Sequence, residues 1–149
     1  MKNIIFIAPP AAGKGTQSKL ISAEYNIPHI STGDLLRDEI SSGSQLGESL
    51  KQEMDQGNLI SNEIIVNLLR NRISKVDCNN GYILDGYPRN VEQAKIYKDM
   101  LKELNKDIGV VIYMEIDKNL ALERTLSRMI CSSCGTSYNT NVAELRPRI

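Results

Sequence analysis

Residues 4–17 read IIFIAPPAAGKGTQ. A short apolar run leads into a loop of small residues and prolines, and Gly13-Lys14-Gly15-Thr16 then opens a helical pattern. That order suits a phosphate-holding loop. Backbone N–H groups at a helix N-terminus face an anion, and the helix dipole adds to the attraction. Lys14 is placed to bridge terminal phosphates, and the Thr16 hydroxyl to serve phosphate or Mg²⁺. The strict pattern G-x-x-x-x-G-K-[ST] is not met. Ala8 replaces its first glycine, Ala11 stands at another usual glycine position, and Gly15 displaces the hydroxyl by one residue. Glycine in such loops supplies positive φ or close backbone approach. Alanine in a left-handed position costs about 1 kcal/mol, a handicap that charge-assisted hydrogen bonds to a triphosphate can offset. The competing local reading is a tight strand–helix turn with an exposed lysine.

Working outward, further apolar runs of strand length occur at Gly81-Tyr82-Ile83-Leu84 and at Ile108 to Met114, with a weaker one at Pro28-His29-Ile30. They do not alternate polar and apolar residues, so both faces are expected to be buried, as in a parallel sheet under helices. Helical patterns lie between them. One starts near Lys14 and carries Leu20, Ile21 and Tyr25; another runs through Leu46, Leu50 and Met54. Ser61 and Asn90 are read as N-caps of two more, and a last helix is expected from Asp117 to about Met129. Strand–helix alternation implies an α/β fold with a parallel sheet.

The 149 residues suffice for one domain. Lysine plus arginine equal aspartate plus glutamate at 18 each, which argues against a general nucleic-acid or membrane-surface binder. No apolar run approaches the roughly 20 residues that span a bilayer, and no signal peptide is read at the N-terminus. Three cysteines, two of them as Cys131-x-x-Cys134, do not form a disulfide framework, so a cytoplasmic, reducing compartment is expected.

Farther along come Ser31-Thr32-Gly33-Asp34-Leu35-Leu36-Arg37, then Gly57-Asn58-Leu59-Ile60, then Asp85-Gly86-Tyr87-Pro88-Arg89 with Gln93. Together with GKGTQ, in this order and spacing, they resemble the adenylate kinases, the nucleoside monophosphate kinases that run ATP + AMP ⇌ 2 ADP. The resemblance covers the whole chain. It implies a three-layer P-loop kinase core with a parallel sheet (1–30 and 61–126), a small helical AMP-binding insertion (31–60) and an incomplete lid (127–149). It also implies that Lys14, Ala11, Ala12, Gly13, Gly15 and Thr16 hold ATP phosphates, with Ser137 and Tyr138 of the lid. Arg37 and Arg89 would clamp the AMP phosphate, a bidentate task suited to guanidinium. Thr32, Asn58, Leu59, Ile60, Gly86, Tyr87, Pro88 and Gln93 would complete the AMP side. Asp85 would organise Mg²⁺ through water. Tyr87 stands where the family usually has phenylalanine. Thr32 and a long segment after Arg128 favour AMP over a pyrimidine monophosphate, because pyrimidine-directed relatives usually carry alanine at that position and a short lid.

Plainer readings stand beside these. Thr32 can merely cap a helix beginning at Asp34, Gln93 can be a capping-box partner of Asn90, and Arg37 and Arg89 can be surface ion-pair formers. Arg124 and Arg128 lie four apart on the expected last helix, where like charges cost about 0.2–0.5 kcal/mol unless an anion is shared. By resemblance both reach the transferring phosphates and join Lys14 and Arg89 as catalytic groups; the alternative is two solvated arginines near a helix C-terminus. Cys131 and Cys134 look like the first knuckle of a zinc-bearing lid. Structural zinc takes four ligands, and neither Cys78 nor the single histidine, His29, completes the set, so an idle dithiol is the alternative to half a zinc site.

By comparison with the family the chain lacks the second half of the lid, one core strand and a last helix, and a fragment of a longer product is the preferred reading. The run from Ile108 to Met114 then becomes an unprotected sheet edge, an aggregation liability. The expected function is Mg²⁺-dependent phosphoryl transfer among ATP, AMP and ADP by a monomer. The alternatives are a kinase for another nucleoside monophosphate, a nucleotide-binding chain without catalysis, and a half-protein that folds only with a partner.

Overall fold

The computed structural model describes residues 3–58, 60–133 and 137–141. Contacts divide the chain into two units, Met1–Ile7 with Gly15–Tyr113 and Ala8–Lys14 with Met114–Ile149.

The first unit is built on a parallel sheet. Its strands are β1 (Ile4–Ile7), β2 (His29–Ser31), β3 (Ile83–Asp85) and β4 (Val110–Tyr113), in the order β2-β3-β1-β4. The intervening helices are α1 (Lys14–Tyr25), α2 (Thr32–Ser41), α3 (Gln45–Asp55), α4 (Asn62–Ile73) and α5 (Val91–Glu103). The register places Ile30, Leu84 and Ile5 in one row across β2, β3 and β1. That row packs into a core with Leu69 and Ile73 of α4 and with Tyr97, Met100 and Leu101 of α5. Alternation turns Phe6 and Ile83 to the opposite side, where they are also buried. Short-range chemistry sets the helix starts. The Ser61 hydroxyl accepts from the Ile64 N–H, and the Asn90 carboxamide accepts from the Gln93 N–H, as the sequence predicts.

The Tyr82 and Tyr97 hydroxyls meet at 2.7 Å inside the core, and Tyr87 packs edge-on to Tyr97 with ring centroids 6.0 Å apart. Burial pushes the Tyr82 phenol up to about 12 and raises that of Tyr97 as well. Cys78 is 1% exposed, and its sulfur receives the Arg72 guanidinium, which also holds Asp77. Burial raises the Cys78 thiol. β4 joins β1 through Asn3, whose carbonyl accepts from Val110 N–H at 2.8 Å. Gly109, at φ +82°, permits that approach; a Cβ there would stand 2.0 Å from the Asn3 carbonyl oxygen.

Two expectations change here. The strands are shorter than the apolar runs, with Tyr82, Ile108, Gly109 and Met114 outside them. Burial on both faces holds throughout β3 but fails for β4, where Val111 is 51% exposed and Val110 and Tyr113 are exposed too. β4 is the end strand of the described sheet. Leu20, Tyr25, Leu46 and Met54, which mark the helical patterns in the sequence, are exposed as well.

The second unit carries α6 (Lys118–Leu126) and an antiparallel pair, β5 (Arg128–Ile130) with β6 (Ser137–Asn139). Asp117 caps α6, its carboxylate accepting from Asn119 and Leu120 N–H at 2.9 and 3.1 Å. The helix stops at Leu126, short of the expected Met129. The Ser127 hydroxyl turns back to the Glu123 carbonyl at 2.8 Å, and the Ser127 carbonyl accepts from Thr140 N–H at 3.0 Å, which commits the next residues to strand pairing. Arg128 therefore opens β5 opposite Asn139 and shares no helix face with Arg124. The like-charge cost expected for a shared face does not arise.

Candidate functional site

In open parallel sheets ligands gather beyond the carboxyl ends of the strands. In the first unit that end carries most of the residues singled out on the AMP side. β2 passes directly into α2, so Thr32 is the first residue of the helix and Ser31 its N-cap. The Thr32 hydroxyl does not cap; it donates to the Gly86 carbonyl at 3.3 Å and is nearly buried. β3 ends at Asp85, and Gly86 turns the chain at φ +80°, a conformation that suits glycine. A cis Tyr87–Pro88 bond follows. The Gly86 carbonyl also accepts Arg89 Nε at 2.8 Å, which leaves the terminal guanidinium nitrogens for a bidentate partner.

Gln93 is the centre of this network. It is 7% exposed, its side-chain oxygen accepts from Arg89 N–H at 2.8 Å, and its side-chain nitrogen donates to Asn62 at 2.9 Å. The capping-box alternative is therefore only half met. Asn90 caps the Gln93 N–H, but the Gln93 side chain reaches back to Arg89, one residue beyond the cap.

Other predicted positions are arranged differently. The Tyr87 side chain lies in the core, its hydroxyl donating to the Gln93 carbonyl at 3.3 Å, so only its main chain faces outward chemistry. Arg37 is exposed and paired with Asp34 one turn earlier. The Asn58 N–H is committed to the Glu53 carbonyl at 2.9 Å and its side chain to Glu53 and Gln56. Leu59 lies outside the described residues, and Ile60 is half-buried.

A contact not read from the sequence joins His29 Nε2 to Asp85 Oδ2 at 3.1 Å, with side chains 19% and 12% exposed. It arises because β2 and β3 are neighbours in register, a fact that no local pattern contains. An open cavity of about 430 Å³ borders Lys98, Lys106, Ile108 and Gly109 at the opposite end of the sheet, away from all these residues.

In the second unit, Ala12 N–H donates to the Pro9 carbonyl at 3.4 Å, closing a turn across Pro10 and Ala11. Ala11 has φ +62° and Gly13 φ +90°, so the alanine at 11 does occupy a left-handed position, whereas Ala8 has no positive φ. Alternation of hand along a loop turns successive N–H groups toward one concavity suited to an anion. α1 begins at Lys14, so the N–H groups of its first turn point out of the helix's N-terminal end. The Ala11 carbonyl receives Arg124 Nη1 at 3.4 Å. Arg128 Nε donates to the Ser137 hydroxyl at 3.1 Å, and Tyr138 pairs opposite Met129.

Cys131 is a free thiol, and Cys134 lies outside the described residues. Among the described residues no group of three or more His, Cys, Asp or Glu side chains gathers to hold a metal ion, so a closed zinc site does not fit them. Asp85 does fit a hard cation that takes one carboxylate and completes its shell with water and phosphate oxygens. No described helix is long and apolar enough to cross a membrane.

A family model described as adenylate kinase matches residues 6–148. Curated relatives include an adenylate kinase of Thermosipho africanus, 44% identical over 137 residues that make up 92% of this chain and 64% of the relative. One from Clostridium botulinum is 45% identical over 136 residues, 91% of this chain and 63% of the relative. One from Archaeoglobus fulgidus is 44% identical over 137 residues, 92% of this chain and 63% of the relative. The chain thus spans under two thirds of the length of these relatives.

Proposed function

The chain belongs to the adenylate kinase family, and from that premise we propose that it serves reversible phosphoryl transfer from ATP to AMP, giving two ADP. Such transfer asks little covalent work of a protein and much positioning and charge neutralisation. In this reading the amides of Ala11 to Thr16 and the Lys14 ammonium hold the ATP phosphates. Arg89 and Arg37 grip the AMP phosphate. The exposed Asp34 partner of Arg37 is screened by solvent and yields readily to a phosphate. Thr32, Gln93 and the main chain around Asn58 to Ile60 and Gly86 to Pro88 hold ribose and base. Arg124 and Arg128 stabilise the moving phosphoryl group, and Ser137 and Tyr138 contact ATP.

Asp85 would hold Mg²⁺ through water. Mg²⁺, when bound, neutralises charge that develops on the phosphoryl oxygens. His29 orients the carboxylate from the side. Residues 31–60 act as the AMP-binding insertion and 127–149 as part of a lid whose closure excludes water and spares ATP from hydrolysis. Cys131 and Cys134 offer two thiolates, and a structural zinc on them needs two ligands from elsewhere. A monomer in the cytoplasm, with no nucleic-acid or membrane partner, completes the proposal.

One observation carries it: the left-handed Ala11 and Gly13 lead directly into the Lys14 start of α1, a backbone shaped for an anion. Lys14→Ala and Arg89→Ala are expected to remove ADP formation with the circular dichroism spectrum unchanged; near-normal turnover in either variant refutes the assignments. The strained alanine at 11 also favours a second reading, binding without transfer, in which calorimetry shows saturable ATP binding while no ADP is formed.

A further inference from the structure

We infer that Arg124 is a positioning residue for the phosphate loop: through the Ala11 carbonyl, its guanidinium holds a left-handed alanine in a conformation that glycine would adopt unaided. This rests on the phosphate-loop reading above.

Two independent features meet at Ala11. The first is local. Ala12 N–H closes on the Pro9 carbonyl, so Pro10 and Ala11 fill the two central places of a turn. Proline suits the first of these. A positive φ at the second is the mark of a type II turn, which favours glycine there. Ala11 takes φ +62° with its methyl group in place. A strained backbone of this kind persists when its surroundings over-determine it.

The second feature supplies those surroundings. Arg124 lies 113 residues on in sequence, in the last turn of α6, and donates Nη1 to the Ala11 carbonyl at 3.4 Å. The bond is long but charge-assisted, and it comes from a side chain whose helix is fixed at both ends, by Asp117 and by Ser127. Ala8–Lys14 also groups with the segment that carries α6, and not with the strand preceding the loop or with most of the helix following it. The loop is thus held from α6.

The chemistry follows directly. Pro9 and Pro10 have no N–H, so the anion-facing donors of this loop begin at Ala11. If Ala11 relaxed to negative φ, the plane of the next peptide would swing and the Ala12 N–H would leave its turn. Arg124 opposes that swing at the carbonyl of the same peptide. The loop binds phosphate in the arrangement that the arginine maintains.

A double-mutant cycle on the full chain tests the idea. The wild type, Ala11→Gly, Arg124→Ala and the double variant are titrated by calorimetry with ATP and, separately, with inorganic triphosphate, which engages the loop without a base. Arg124→Ala is expected to weaken binding at least fivefold more in the wild-type background than beside Ala11→Gly, with both probes; fivefold is about the 1 kcal/mol of a left-handed alanine. A difference below about twofold with either probe overturns the inference, because Arg124 would then act only by touching the ligand. If the wild-type chain shows no saturable binding of either probe, the phosphate-loop reading falls and this inference falls with it. Additive losses in a chain that does bind overturn this inference alone.

Discussion

Gly86 and Ala11 face the same backbone demand in two regions of the molecule and meet it differently. At the end of β3 the left-handed residue is glycine, and its carbonyl is shared by the nearly buried Thr32 hydroxyl and by Arg89. In the loop before α1 the left-handed residue is alanine, and an arginine remote in sequence reaches its carbonyl across an exposed surface. Composition removes the strain in one place; a tertiary contact contains it in the other. The first arrangement is local and robust. The second ties the loop to the state of α6.

The comparison breaks most visibly on the β3 side, where polar groups are sealed. Gln93→Leu removes the acceptor of Arg89 N–H and the donor to Asn62 and leaves a half-buried N–H unsatisfied. Stability measured by urea unfolding should fall by about 2–3 kcal/mol. The tyrosine pair behind it sets an alkaline limit of comparable size. A folded-state phenol at about 12 in Tyr82, above an unfolded value of 10, contributes stability that is complete below pH 10 and is lost as pH rises toward 12. A Tyr82→Phe variant followed by circular dichroism should show a shallower loss over that window, and an unchanged profile would remove Tyr82 as the cause.

Smaller effects sharpen the contrast. Gly86→Ala places a Cβ 3.4 Å from the Thr32 hydroxyl, an ordinary contact, so its cost should be mainly the left-handed penalty of about 1–2 kcal/mol. The opposite change, Ala11→Gly, relieves strain but frees the unfolded chain, and the two should leave stability within about 1 kcal/mol of the wild type. Thermal melts of both variants read the difference.

What the sequence disclosed follows the range of the interactions involved. The Ser61 and Asn90 caps were legible because a cap is made with a residue three places on. The strand–loop–helix at the N-terminus was legible for the same reason, and so was the strain at Ala11. The end of α6 was not. Arg128 continues a plausible helical pattern, and only its pairing with the strand opposite Asn139 takes it away. Gln93 was legible as a partner of the Asn90 cap but not as a hub, since Asn62 lies 31 residues upstream. His29 and Asp85 met only once β2 was placed beside β3. The exposure of β4 was hidden because an apolar run reads alike in an inner and an outer strand.

Cys78 gives the molecule a built-in clock. A thiol sealed in the core and held protonated by its burial cannot meet an alkylating reagent until the packing around Tyr82 and Leu69 opens, whereas the partly accessible Cys131 has no such barrier. The lag between the two labelling rates, read by mass on the intact chain, times how often this half of the molecule breathes.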